Sequence, residues 1–203
     1  MNTLTYIIQK FNLQTTRPGT EVIGSRNKEL LEMFRDLGYK TGVEIGVERG
    51  VYSEKICKEV PGVMLYCIDP WKAYPSYREH VTQEQLDQFY KETQETLKPY
   101  GCKIIRGFSE EVYKNFPDGS LDFVYIDGNH DFLHTTQDIS YWMPKVRSGG
   151  IVAGHDFRRT KHGAVNNVKD VVPSYAYAMN INPWFVLRTA DGKSAPSWFW
   201  VKQ

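Results

Sequence analysis

The sequence predicts one α/β domain: a three-layer sandwich with a mostly parallel seven-stranded sheet that finishes in an antiparallel hairpin. Three observations predict it. Short apolar runs alternate with amphipathic stretches from residue 27 to residue 157, and such a strand–helix–strand repeat closes as right-handed crossovers that lay helices on a parallel sheet. A loop with two glycines, Gly46 and Gly50, separates the first apolar run from a helical pattern. Finally, the chain ends on two aromatic, β-branched runs joined by a turn-rich segment, the signature of a hairpin with a long loop.

The elements follow in order. Leu30, Leu31, Phe34 and Leu37 recur at helical spacing before Gly38, so a helix spans 27–37. Val43 to Ile45 reads as the first strand, and Val51 to Val60 as a helix stopped by Pro61-Gly62. Val63 to Ile68 is a short apolar run ending on Asp69, as a buried parallel strand would. Helix 83–97 is the clearest: Thr82 and Gln85 match a capping box, Leu86, Phe89, Tyr90, Thr93 and Leu97 share a face, and Pro99 ends it. Strands are expected at Lys103–Arg106, Leu121–Ile126 and Gly150–Ala153, with helical patterns at 109–116 and 132–143 between them. Trp184–Arg188 and Ser197–Val201 form the hairpin, placing antiparallel pairing at one edge of the sheet. Residues 1–25 read as an N-terminal extension outside the core, and 26–203 as the domain.

Bulk properties narrow the partners. A chain of 203 residues with 41% hydrophobic content supports one substantial core. Lys+Arg 25 against Asp+Glu 24 gives no global pull toward nucleic acid or anionic membrane. No apolar stretch approaches membrane-spanning length and no leader pattern opens the chain, so a soluble, cytoplasmic protein is expected. Cys57, Cys67 and Cys102 are odd in number and lack metal-ligand spacing, which favours free thiols in a reducing compartment.

In an open α/β sheet, ligands bind beyond the carboxyl ends of the strands. The loop Glu44-Ile45-Gly46-Val47-Glu48-Arg49-Gly50 lies there, with free N–H groups and a positive dipole end on the helix that follows. Its spacing is not the Gly-x-Gly-x-x-Gly of dinucleotide enzymes, which argues against a nicotinamide dehydrogenase.

An acidic residue followed by Gly-x-x-x-Gly, matched by Glu44, Gly46 and Gly50, resembles the first motif of the class I S-adenosylmethionine-dependent methyltransferases. The resemblance continues along residues 27–203 and implies a Rossmann-like sheet. Asp69 stands where that family has an acid binding the ribose hydroxyls, and Gly107-Phe108-Ser109 stand where its adenine loop lies. It thus implies that S-adenosylmethionine is held by Glu44, Gly46, Val47, Gly50, Asp69, Trp71, Gly107, Phe108, Ser109 and Asp127.

Two further strands end in similar clusters, Asp127-Gly128-Asn129-His130-Asp131 and Gly154-His155-Asp156-Phe157. The pairing resembles a small-molecule O-methyltransferase branch near the macrocin and cephalosporin-pathway enzymes and, more distantly, catechol O-methyltransferase. That resemblance implies a hydroxyl oxygen as methyl acceptor and, in metal-dependent members, a divalent cation such as Mg or Mn held by Asp127 and Asp156, with His155 or His130 as the imidazole available to it. Phe157 replaces the Asn of the catechol type, and His155 the acid of the antibiotic type. A hydroxyl needs a proton acceptor, and His130 is the preferred base beside Asp127.

The aromatic segment Pro70 to His80 suits a lid over a sugar or aromatic acceptor. The basic run Arg158-Arg159-Thr160-Lys161-His162 suits a phosphate or a solvated loop. Asp138, Trp142, Trp198 and Trp200 read as structural. The predicted function is methylation of a hydroxyl on a small molecule or sugar, with no nucleic-acid or membrane partner and the oligomeric state, homo-oligomer included, undetermined. The alternative is a non-catalytic cofactor-binding or interaction domain on the same fold.

Overall fold

A computed structural model of the chain describes residues 2–74, 81–159 and 165–203. Among the described residues eight strands form one sheet: β1 (Pro18–Ile23), β2 (Thr41–Ile45), β3 (Met64–Asp69), β4 (Lys103–Arg106), β5 (Leu121–Ile126), β6 (Val146–Gly154), β7 (Trp184–Arg188) and β8 (Ser197–Val201). Their order across the sheet is β1-β7-β8-β6-β5-β2-β3-β4. Every neighbouring pair is parallel except β6 with β8 and β7 with β8, so β8 alone runs against the rest.

Side-chain alternation along the strands builds two cores. Val43 and Ile45 of β2 face one side, joining Val124, Ile126 and Val152 under α5 (Ser109–Val112), α6 (Phe132–Trp142) and α7 (Val168–Ala178). The opposite core takes Phe123, Tyr125, Ile151 and Ala153 under α1 (Thr3–Lys10), α2 (Leu31–Asp36), α3 (Val51–Glu59) and α4 (Gln83–Leu97). Of the sequence-predicted elements, 83–97 and the hairpin strands fall on the expected residues. The Thr82 side chain accepts from the Gln85 N–H and the Gln85 side chain accepts from the Thr82 N–H, which completes the capping box.

The sheet differs from expectation at its far edge. Residues 18–23 add an eighth, parallel strand beyond β7, and Ile7 of α1 is fully buried. The segment expected to lie outside the core therefore closes one end of it, and the hairpin sits inside the sheet rather than at its edge. On β1 Val22 alone is buried, because an edge strand needs few apolar residues.

From β2 the chain steps outward to β3 and β4, then returns to β5 on the other side of β2. The reversal opens a crevice between the ends of β2 and β5, where the fold places ligands. No helix among the described residues is long and apolar enough to cross a membrane.

Candidate active site

A cleft of about 450 Å³ opens over that reversal. The loops after β2, β3, β4, β5 and β6 all contribute, so Glu44, Gly46, Val47, Asp69, Gly107, Phe108, Ser109, Asp127, His130, His155 and Asp156 line one cavity.

The glycine loop is held by its neighbours. Gly46, Glu48 and Gly50 all take left-handed backbone, at φ of 82°, 53° and 74°. The Asp69 carboxylate accepts from the N–H groups of Val47 (2.9 Å), Glu48 (3.0 Å) and Trp71 (2.7 Å). Burial is the largest influence on this acid and raises its pKa, with the three N–H donors pulling the other way. The Glu48 carbonyl accepts from the Trp71 indole N–H at 2.7 Å and the Thr93 hydroxyl at 2.9 Å.

Two residues expected at the cofactor sit elsewhere. Trp71 is fully buried and does not line the cavity; its ring packs behind the loop against Tyr90, at 4.9 Å between ring centres. Gly50 caps α3, and a β-carbon there would meet Leu97 and Thr93 at 3.3 Å. Both shape the loop rather than face the cavity. Gly46 does face it, but its freedom from a side chain serves the backbone: a β-carbon would lie 2.1 Å from the Asp127 carbonyl oxygen.

Glu44 points from β2 to the Ser53 hydroxyl, which donates to it. The carboxyl is buried, and burial pushes its pKa up to about 8, so it stays largely protonated at neutral pH. On the opposite wall the Ser109 hydroxyl donates to Asp138, whose pKa burial likewise pushes up to about 7. Asp138 was expected to be structural, yet it lines the cleft. Near it, Tyr74 lies 5.4 Å from the Phe108 ring, edge on, and 6.1 Å from the His134 ring.

The clusters after β5 and β6 converge. His130 Nε2 lies 3.4 Å from Asp127 Oδ1 and 3.4 Å from Asp156 Oδ2. His155 Nδ1 lies 3.5 Å and 3.7 Å from the same two oxygens. Burial works against the charge on Asp127, but hydrogen bonds from His130 and His155 and the charges of His155 and Arg26 outweigh it, holding this acid far below the usual carboxylate range. Burial lowers the His155 pKa, while its two carboxylate partners raise it by more.

Sequence reasoning missed two residues here. Arg26, from the turn Arg26–Leu30 that leads into α2, donates to Asp127 Oδ2 at 2.5 Å and to the Tyr125 hydroxyl at 3.2 Å. Nothing in its local sequence marks it; it reads as the polar flank of a helix. His134 Nδ1 lies 2.9 Å from each oxygen of Asp131, whose side chain also caps α6. The three-residue spacing of Asp131 and His134 was the available signal. Of the lid segment, residues 75–80 lie outside the described residues, as do 160–164 of the basic run. The described part of that run is paired, Arg158 with Asp156 at 2.9 Å and Arg159 with Asp170 at 2.7 Å.

Proximity permits a metal. Ligand atoms of Asp127, His130 and Asp156 lie within 4.8 Å of one another, His130 being the imidazole of the group. Charge opposes it. The two carboxylates already face the two guanidinium groups of Arg26 and Arg158, so their charges cancel before either imidazole is counted. A divalent ion would place two uncompensated charges in that balanced cluster. The group does not fit a resident metal while Arg26 is in place.

The methyltransferase domain family matches residues 43–157, more than half of the chain. The chain belongs to that family, and its fold is that of the class I S-adenosylmethionine-dependent methyltransferases. Among solved structures it is similar to an O-methyltransferase from Bacillus cereus in complex with SAH (14% identity, TM-score 0.62, 98% of this chain and 90% of that one). It is also similar to TomG of Streptomyces achromogenes, an O-methyltransferase involved in tomaymycin synthesis and solved with SAM (14%, TM-score 0.60, 99% and 90%). A third is cofactor-bound Rv0187 from MTB (12%, TM-score 0.61, 99% and 90%). At these identities the likeness establishes the fold. By sequence, 61 residues are 28% identical to the uncharacterized protein y4gI of Sinorhizobium fredii, spanning 30% of this chain but 7% of that protein's length.

Proposed function

We propose that the chain transfers the methyl group of S-adenosylmethionine to a hydroxyl oxygen of a small acceptor, a sugar or natural product, with His130 as the proton acceptor. The observation that carries this reading is the position of His130 between the Asp127 and Asp156 carboxylates at the cleft floor, 3.4 Å from each. The acceptor's O–H bond breaks toward the imidazole as its oxygen attacks the methyl carbon. The S–CH₃ bond breaks, and the sulfonium becomes a neutral thioether. The two fixed carboxylates stabilise the imidazolium that forms, as an acid does behind a catalytic histidine.

The chain's other residues hold the donor. Val47, Glu48, Asp69, Phe108, Ser109 and Asp138 line the cleft around it. Protonated Glu44 offers a hydrogen-bond donor without adding a negative charge. In-line displacement then requires alignment more than activation, because the sulfonium carbon is already electrophilic. A purely cofactor-binding role is less well supported, since binding alone does not call for an imidazole between two carboxylates.

One observation favours a second base. His134 lines the same cleft, and its Nδ1 is oriented by Asp131, an acid–imidazole pair of the kind that leaves the opposite ring nitrogen to accept a proton. The test of function is calorimetric titration with S-adenosylhomocysteine, followed by transfer of labelled methyl groups to a panel of hydroxylated acceptors. Absence of both heat and thermal shift with S-adenosylhomocysteine would sink the reading.

A further inference from the structure

Arg26 is fixed in place from both ends. The Tyr52 hydroxyl donates to its carbonyl at 3.0 Å. Its guanidinium lies 4.7 Å from the centre of the Tyr52 ring and 5.9 Å from that of Tyr125, so two aromatic rings hold it. From there it reaches Asp127 Oδ2 at 2.5 Å. Two carboxylate oxygens and an imidazole within 4.8 Å of one another suit Mn²⁺, Fe²⁺ or Zn²⁺ by donor type. Asp156 is buried, with its Oδ2 3.4 Å from His130 Nε2 and its Oδ1 2.9 Å from Arg158 Nε. The group thus carries the donors of a cation site, and each of its carboxylates faces a cation supplied by the chain, the more buried one being Arg26 on Asp127 and the more exposed one Arg158 on Asp156.

We propose that Arg26 is a built-in replacement for a divalent cation, and that its removal converts the Asp127–His130–Asp156 group into a metal site. Arg26 is then a positioning residue: it fixes the Asp127 carboxylate against His130 and neutralises it without Lewis-acid chemistry. Because it comes from the turn ahead of α2, the segment before the first glycine loop decides whether the same strand ends work with a metal or without one. The inference rests on the methyltransferase reading only for its catalytic meaning; the cation competition stands on the geometry.

Mn²⁺ is the probe, because its free form is read directly by electron paramagnetic resonance. The wild-type chain, Arg26→Met and Arg26→Lys are titrated with Mn²⁺ at one ionic strength, with folding followed by thermal melting. Arg26→Met is expected to bind one Mn²⁺ per chain at least about tenfold more tightly than the wild type, a difference of about 1.4 kcal/mol. Adding Asp156→Asn should abolish the gain, and Arg26→Lys, which keeps the charge, should resemble the wild type. Equal binding by wild type and Arg26→Met, or binding by neither, overturns the proposal. Should Arg26→Met fail to fold, Arg26→Gln takes its place under the same criteria. A parallel titration of the wild type with S-adenosylhomocysteine separates the two questions: no binding there removes the methyltransferase reading whatever the Mn²⁺ result.

Discussion

Gly46 and Asp127 meet through backbone alone, for a β-carbon on the glycine would stand 2.1 Å from the Asp127 carbonyl oxygen. This contact seats the loop after β2 against the end of β5, where the cofactor loop and the acid–imidazole cluster adjoin. Gly46→Ala therefore meets two penalties, left-handed backbone at φ 82° and a clash with main chain that has no rotamer to yield. The expected loss is at least about 2 kcal/mol, or a melting temperature lower by roughly 4–8 °C in a chain of this size. Calorimetry should show weakened S-adenosylhomocysteine binding in whatever remains folded. An unchanged melting curve would show that β5 yields freely, against the packing described.

The histidines make separable predictions. His130→Ala should lower turnover by about 10²–10⁴-fold with cofactor affinity nearly intact, the usual loss on removing a general base. His134→Gln should change turnover by less than about tenfold if His130 is the base. The reverse pattern would transfer the role to the Asp131–His134 pair. Rates with and without a chelator should coincide for the wild type, because Arg26 already occupies Asp127 Oδ2; a chelator-sensitive rate would contradict that.

Glu44 ties stability to pH. In the unfolded chain its pKa is the ordinary 4.5, and in the fold burial lifts it to about 8. Between those values the unfolded chain releases a proton that the folded chain keeps, so the contribution to stability is complete below pH 4.5 and is lost as pH rises toward 8. At full linkage the slope is about 1.4 kcal/mol per pH unit. Glu44→Gln cannot release the proton in either state. Its melting temperature relative to the wild type should climb from pH 5 to pH 8 and level off above, and a constant difference across that window would show that Glu44 is ionised in the fold.

How much of this was readable in advance depends on where each residue's partners lie. Helix 83–97 was legible because its cap, its apolar stripe and its stop are all local. The hairpin strands were legible because Trp184–Arg188 and Ser197–Val201 are buried along almost their whole length and read as unbroken apolar runs. By contrast, β1 shows one buried residue, Val22, and its pairing partner lies more than 160 positions away. α7 carries Pro173 inside the helix, which masks its period. Within the site, Asp69, Asp127, His130, His155 and Asp156 were legible as strand-end residues. Arg26 was not, since its role comes from Tyr52, Tyr125 and Asp127, all distant in sequence. Trp71 was misplaced because position after a strand does not reveal which way a ring turns: its indole points back to the Glu48 carbonyl.

Asp69 tests how loop support and ligand contact divide. Its two oxygens take three backbone N–H groups, Val47 and Glu48 on one and Trp71 on the other. Asp69→Ala leaves all three without that acceptor, and a buried donor left unpaired costs about 1–3 kcal/mol. Asp69→Asn keeps one oxygen for the Val47–Glu48 pair but turns an amide toward the Trp71 N–H, so it should lose less. Chemical denaturation should rank the wild type above Asn and Asn above Ala, with S-adenosylhomocysteine affinity falling in the same order. If instead both variants keep wild-type stability and lose only affinity, the acid serves the ligand alone. The three N–H groups must then find other acceptors, and the left-handed backbone at Glu48 must be held without Asp69.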